Sequence, residues 1–272
     1  MENIRQAVER AKIRQTREGQ LGREPTAQQA RRVYGDADES MRLTQEVELD
    51  LAHLQSQRIV AFDGNDLRSR SFDMLRTEIQ QSMDLKGWKT LAVTSPTPSC
   101  GKTLTAVNLA LSMARQPERQ VFLADLDLRK PHVASSLGLK CREGVVGVIE
   151  GRVELDSAIV QARVGSSRLQ VLPTAPASNS SDLVGSSAMR LLLQDIKRQG
   201  QSRVIILDLP PLLTGHDVIS ILPQLDCVLL VAAVGTSKVS EIEECNKYLQ
   251  ETDVVRFVLN KVPESTTRYV YY

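Results

Sequence analysis

The chain has 272 residues, 42% of them apolar, enough to bury one sizeable core with an extension left over. Its 34 basic and 33 acidic side chains leave a net charge of +1, which excludes a globally charged surface built for a polyanion such as nucleic acid. No run of 18 or more apolar residues occurs and MENIRQAVERAKIRQ lacks the apolar centre of a secretory leader, so the chain is expected to be cytoplasmic. The four cysteines (Cys100, Cys141, Cys227, Cys245) show neither disulfide nor zinc-ligand spacing and read as reduced thiols.

Residues 1–56 are polar, with eight basic and four acidic side chains in 1–32 followed by one basic and six acidic in 33–56. They are expected to form a partly helical or disordered extension. From Gln57 short apolar runs alternate with helical periodicity, the pattern of a parallel sheet wrapped by helices. Strands are predicted at 90–94, 121–124, 169–172, 204–207, 228–232 and 254–259, and helices at 72–85, 102–114, 187–198 and 238–249. The predicted fold is α/β: a doubly wound, mostly parallel sheet of P-loop NTPase type over 57–263, with its ligand edge at the carboxyl ends of the strands. Residues 264–272 form a tail that holds three of the five tyrosines, Tyr269, Tyr271 and Tyr272.

Three motifs carry the chemistry. After the first strong strand comes SPTPSCGKT at 95–103, then a helical pattern. A strand, a tight loop and Gly-Lys-Thr at a helix start form the arrangement that cradles phosphate with backbone N–H groups. Lys102 would face the β- and γ-phosphates, and Thr103 would offer its hydroxyl to magnesium. Pro96 stands where the general pattern has glycine, and a backbone needing positive φ at Ser99 would be strained by that side chain. Cys100, beside a helix amino terminus, is either a thiolate that could block phosphate space once modified or an inert filler. The second motif, VFLADLDLRKP at 121–131, puts Asp125 and Asp127 on one face where a strand meets the ligand edge. The third, VIILDLPP at 204–211, ends another buried strand on Asp208, a position that in P-loop proteins holds magnesium directly or through water.

Together, PSCGKT, VFLADLDLR and VIILDLPP resemble the three motifs of the bacterial tyrosine-kinase (BY-kinase) family of capsule and exopolysaccharide synthesis, in order and spacing, with DLDLR the discriminating one. The resemblance runs from about 58 to 262 and includes FVLNKV at 257–262. It implies an ATP- and Mg2+-dependent tyrosine autokinase that modifies Tyr269, Tyr271 and Tyr272 of a neighbouring copy. The implied nucleotide contacts are Pro98, Ser99, Cys100, Gly101, Lys102, Thr103, Leu104, Arg129 and, near the adenine, Asn260. Thr103, Asp127 and Asp208 would hold the metal, with Lys102, Asp125 and Asp127 catalytic and Asp125 accepting the phenolic proton. The resemblance further implies a homo-oligomer and a membrane activator of the chain-length-determinant type that recruits the kinase to the inner face of the membrane. The family's subunit-contact helix reads E-x-x-R-x-x-R, whereas RSFDMLR stands here at 70–76, where only Arg76 fits. Outside this family, a partition-type ATPase or a non-catalytic nucleotide-dependent regulator shares the fold, but the former's second lysine is absent at Pro96 and Thr97.

Overall fold

The computed structural model describes residues 45–177, 180–198, 203–250 and 252–263. Eight strands form one sheet: β1 Gln45–Glu48, β2 Thr90–Thr94, β3 Gln120–Asp125, β4 Val160–Val164, β5 Ser167–Leu172, β6 Arg203–Asp208, β7 Cys227–Ala233 and β8 Asp253–Asn260. Their order is β1-β4-β5-β3-β6-β2-β7-β8, and every pair is parallel except the antiparallel β4–β5 hairpin. The central strands are continuous apolar runs because both of their faces are covered by helices.

Strand alternation divides the core into two layers. Leu91, Val93, Val121, Leu123, Ile206 and Leu229 face the helices Arg70–Lys86 and Lys102–Ala114, where Ile79, Met83, Val107 and Leu111 meet them. Ala92, Phe122, Ile205, Leu207 and Leu230 face the other way, onto Met189, Leu192, Leu193 and Ile196 of the helix Ser187–Arg198. The predicted strands and the four long helices are all present, with ends moved by at most two residues.

Two pieces of the sheet go beyond the sequence expectation. β1 and the helix Leu51–Ser56 lie ahead of the expected start at Gln57, and they belong to the same compact unit as the sheet. The domain therefore begins near Thr44, and the polar extension is the shorter segment before it. β4 is the other addition, turning back through Gly165 to pair with β5.

The strand order fixes where the motifs meet. β6 lies between β3 and β2, with Asp125 opposite Asp208 and Val93 opposite Asp208 in the ladder. The loop after β2 and the acidic ends of β3 and β6 are thus neighbours at one edge of the sheet.

Candidate phosphate and metal site

The loop between β2 and the helix Lys102–Ala114 is fastened at its base. Thr94 donates its hydroxyl to the Pro210 carbonyl (2.7 Å), and the Ser95 carbonyl accepts the Leu212 N–H (2.8 Å). At its tip the backbone enters the left-handed region twice, at Ser99 (φ 66°) and Gly101 (φ 92°). Gly101 is the residue that caps the helix, and Thr105 returns its hydroxyl to the Gly101 carbonyl (2.9 Å). The predicted strain at residue 99 is therefore present, because an L side chain occupies a left-handed position.

Lys102 folds back over the acids. Its Nζ lies 2.8 Å from Asp127 Oδ2, 3.5 Å from Asp208 Oδ1 and 3.3 Å from Thr103 Oγ1. Thr103 donates its hydroxyl to Asp208 Oδ2 at 2.6 Å and accepts from Lys102 Nζ, which leaves one lone pair of Oγ1 available to a cation. Asp208 and Asp125 are fully buried, and burial raises both carboxyls above the usual range, Asp125 well above it, with the neighbouring acids adding to the effect. For Lys102, burial works against the charge, yet the surrounding Asp208 and Asp127 outweigh it and raise the ammonium. An ion-paired aspartate is ordinarily lowered. Here one ammonium serves several acids in a dry site, so Asp125 and Asp208 go up although the lysine goes up as well.

Asp125 has a further set of partners. Its Oδ2 accepts the N–H groups of His132 (3.0 Å) and Val133 (2.9 Å), and its Oδ1 accepts that of Asp127 (3.2 Å). It anchors the segment that follows the motif and is closed off from solvent, which sequence alone did not indicate for a proton acceptor. Arg129 is exposed at the same edge beside Gly215, where an added Cβ would sit 3.2 Å from its Nη2.

Two other residues of this edge have partners that the sequence did not indicate. Cys100 is buried and turns its sulfur away from the loop's mouth, 3.2 Å from the Thr97 carbonyl and 3.3 Å from Ser237 Oγ, so it fills space rather than facing phosphate. Asn260 does lie at this edge, but its amide is spent on the loop: Nδ2 donates to the Cys100 carbonyl at 3.0 Å. Ser237, unmarked in the sequence, is the partner that position 100 recruits from beyond β7. Tyr269, Tyr271 and Tyr272 lie outside the described residues.

The residues fit magnesium in one definite way. Asp127 and Asp208 contact one ammonium with Asp125 close by, so the site is short of positive charge. Among the described residues no three acidic, histidine or cysteine side chains converge on one point. Such a site suits an ion held by a hydroxyl, one or two carboxylates, water and a substrate phosphate.

No protein-family model matches the chain. EpsB of Ralstonia solanacearum, which carries a tyrosine-protein-kinase name, is 29% identical over 199 residues, 72% of this chain and 26% of its own length. The tyrosine-protein kinase CpsD of Streptococcus agalactiae is 29% identical over 202 residues, 73% of this chain and 84% of its own. Among solved structures, the VpsO kinase domain matches with a TM-score of 0.64 at 28% identity, covering 72% of this chain and 97% of that domain. The chain is thus similar, over about three quarters of its length, to proteins named as bacterial tyrosine-protein kinases. The chain spans only about a quarter to a third of the length of the EpsB proteins, which are 26% and 31% covered.

Two residues of the helix that the resemblance assigns to subunit contacts are engaged internally. Asp73 accepts hydrogen bonds from Ser112 Oγ and Arg115 Nη2 (2.9 Å), and Arg76 Nη1 reaches the Ser112 carbonyl (3.0 Å). Residues 73 and 76 therefore tie the helix Arg70–Lys86 to the loop helix. No helix among the described residues is long and apolar enough to cross a membrane.

Proposed function

We propose that the chain is an ATP-dependent protein-tyrosine kinase that acts in the regulation of capsule or exopolysaccharide synthesis and transfers the γ-phosphoryl group to Tyr269, Tyr271 and Tyr272 of a neighbouring copy. The observation that carries this reading is the meeting of Lys102, Thr103, Asp127 and Asp208 from three adjacent strand ends beneath a left-handed phosphate loop. Relatives named as tyrosine kinases support it.

The roles follow from charge and position. Lys102 is held on Asp127 and Asp208 until phosphate oxygens compete for its ammonium, and it then neutralises the β- and γ-oxygens. Magnesium, which Thr103 and Asp127 would hold, would supply the missing positive charge and draw electron density from the phosphoryl oxygens. Asp208 accepts a hydrogen bond from the Thr103 hydroxyl and so aims the oxygen. A phenol has a pKa near 10, so transfer benefits from a nearby acceptor. Asp125, whose burial favours proton uptake, is that acceptor once the 130–133 segment lifts from it. Arg129, exposed at the rim, meets an incoming phosphate or an acid of the neighbouring copy. The protein works in the cytoplasm as a homo-oligomer and is brought to the inner face of the membrane by a chain-length-determinant type activator. Nucleic acid has no part in this reading.

The test is incubation with labelled ATP and magnesium. An Asp208→Asn chain with an intact tail, mixed with active chain lacking residues 268–272, should become labelled on the tail tyrosines. Label on Tyr34 or Tyr248 alone, or none on the inactive partner, refutes transfer between copies. Free phosphate release without label would make the protein an ATPase of the partition type, and binding without either would make it a regulator.

A further inference from the structure

We infer that Asn260 is a positioning residue for the phosphate loop, a latch that holds the loop's shape from the end of β8, rather than a reader of the adenine. The inference rests on the proposed use of this loop for nucleotide phosphates.

The orientation of the amide is fixed by its own surroundings. Asn260 Oδ1 accepts the N–H of Lys261 (2.8 Å), which leaves Nδ2 as the end that faces the Cys100 carbonyl at 3.0 Å. Exchanging the two atoms would set oxygen against oxygen and N–H against N–H. Lys261 adopts φ 57° to complete this turn, a left-handed conformation that a lysine takes only when its surroundings hold it there. The Asn260 backbone is fastened too, since its carbonyl accepts the Val234 N–H at 3.0 Å. The amide is therefore not a loose side chain that has swung onto the loop.

Its contact falls on the part of the loop that matters most. Cys100 stands between the two left-handed residues Ser99 and Gly101, whose alternation turns successive N–H groups toward one point, the geometry that binds phosphate. The amide also presses on the loop. A Cβ built at Gly101 would come within 2.1 Å of Asn260 Nδ2, so the latch closes only against glycine. A second contact holds the same residue from the neighbouring strand end, where Ser237 Oγ meets Cys100 Sγ at 3.3 Å and accepts the Ala233 N–H at 3.1 Å. Cys100 is thus gripped through its carbonyl by the end of β8 and through its sulfur by the end of β7.

A latch and a base reader differ in what they do to a ligand without a base. The parent chain, Asn260→Ala and Asn260→Asp are titrated calorimetrically with inorganic tripolyphosphate, ATP and GTP, each with magnesium, and their melting temperatures are compared. The latch predicts that Asn260→Ala weakens tripolyphosphate and ATP by the same factor, about fivefold for one lost hydrogen bond. The ratio of ATP to GTP affinity stays unchanged. Asn260→Asp, which sets a carboxylate against the Cys100 carbonyl, loses more than Asn260→Ala. If tripolyphosphate binds all three proteins equally while ATP selectivity over GTP collapses, Asn260 reads the base and the inference is overturned. It is equally overturned if the variants bind every ligand like the parent, or if only their melting temperatures move. A parent chain that binds neither ATP nor tripolyphosphate removes the proposed function itself, and the latch with it.

Discussion

Lys102 is the cation that allows three carboxylates to share one dry site, so its removal should be felt in the fold as well as in catalysis. In Lys102→Met the partners at 2.8 and 3.5 Å lose their counter-charge, and an uncompensated buried charge costs about 3–5 kcal/mol. The protein has a cheaper route at low pH, which is to protonate one acid. Starting from an ordinary carboxyl pKa of about 3.9, that route costs about 1.4 kcal/mol per pH unit, or about 1.5 kcal/mol at pH 5 and about 4 kcal/mol at pH 7. Asp125 and Asp208 are already raised by burial in the parent, and losing the ammonium raises them further. A carboxyl whose folded-state pKa exceeds its unfolded one holds extra protons when folded, so its contribution is present at low pH and fades as pH rises. The deficit of Lys102→Met relative to the parent should therefore be about 1.5 kcal/mol near pH 5 and at least twice that near pH 7.5. Urea unfolding followed by the fluorescence of Trp88, the single tryptophan, measures it at both pH values. Magnesium should narrow the gap at the higher pH. An equal deficit at the two pH values, or none at either, would mean that the three acids are not the electrostatic unit described here.

Ser99→Gly relieves a side chain at φ 66°, so it should raise stability by up to about 1 kcal/mol in urea unfolding; a loss of stability would show that Ser99 makes a compensating contact. Asp73→Ala leaves Ser112, Arg76 and Arg115 without their shared acceptor and should cost about 1–3 kcal/mol while leaving the mass measured by light scattering unchanged. A change in assembly without loss of stability would instead place Asp73 at a subunit contact. Burial pushes the Cys227 and Cys245 thiols up to about 12 and Cys141 to about 11, and Cys100 is enclosed, so iodoacetamide near pH 7.5 should label all four slowly. ATP should not change the rate at Cys100, and strong protection by ATP would show that its sulfur faces the phosphate space after all.

Sequence pattern was most informative where one physical cause dominates. Thr90–Thr94 and Lys102–Ala114 were placed to the residue because a wholly buried strand runs into a loop that only a phosphate site explains. β1 escaped notice because Gln-Glu-Val-Glu has one apolar residue among four, and its strand character comes from pairing with β4 rather than from its own side chains. β4 does alternate, but five residues beside a glycine turn are too short to be told from a loop by period alone. At the site, residue types announced Lys102, Thr103 and the three aspartates. What they could not announce was direction. The N–H groups that enclose Asp125 come from residues 132 and 133, and the partners of Cys100 come from the ends of β7 and β8. Those contacts depend on how loops return to the sheet edge, which no spacing in the sequence encodes.

The positions of β1 and β8 at opposite ends of the strand order govern how the domain can be attached to anything else. Seven inter-strand steps of about 4.8 Å separate them, about 34 Å along the sheet. The described chain therefore enters the sheet at Gln45 on one flank and leaves it after Asn260 on the other, so a force applied through these two strands is carried across all eight rather than along one.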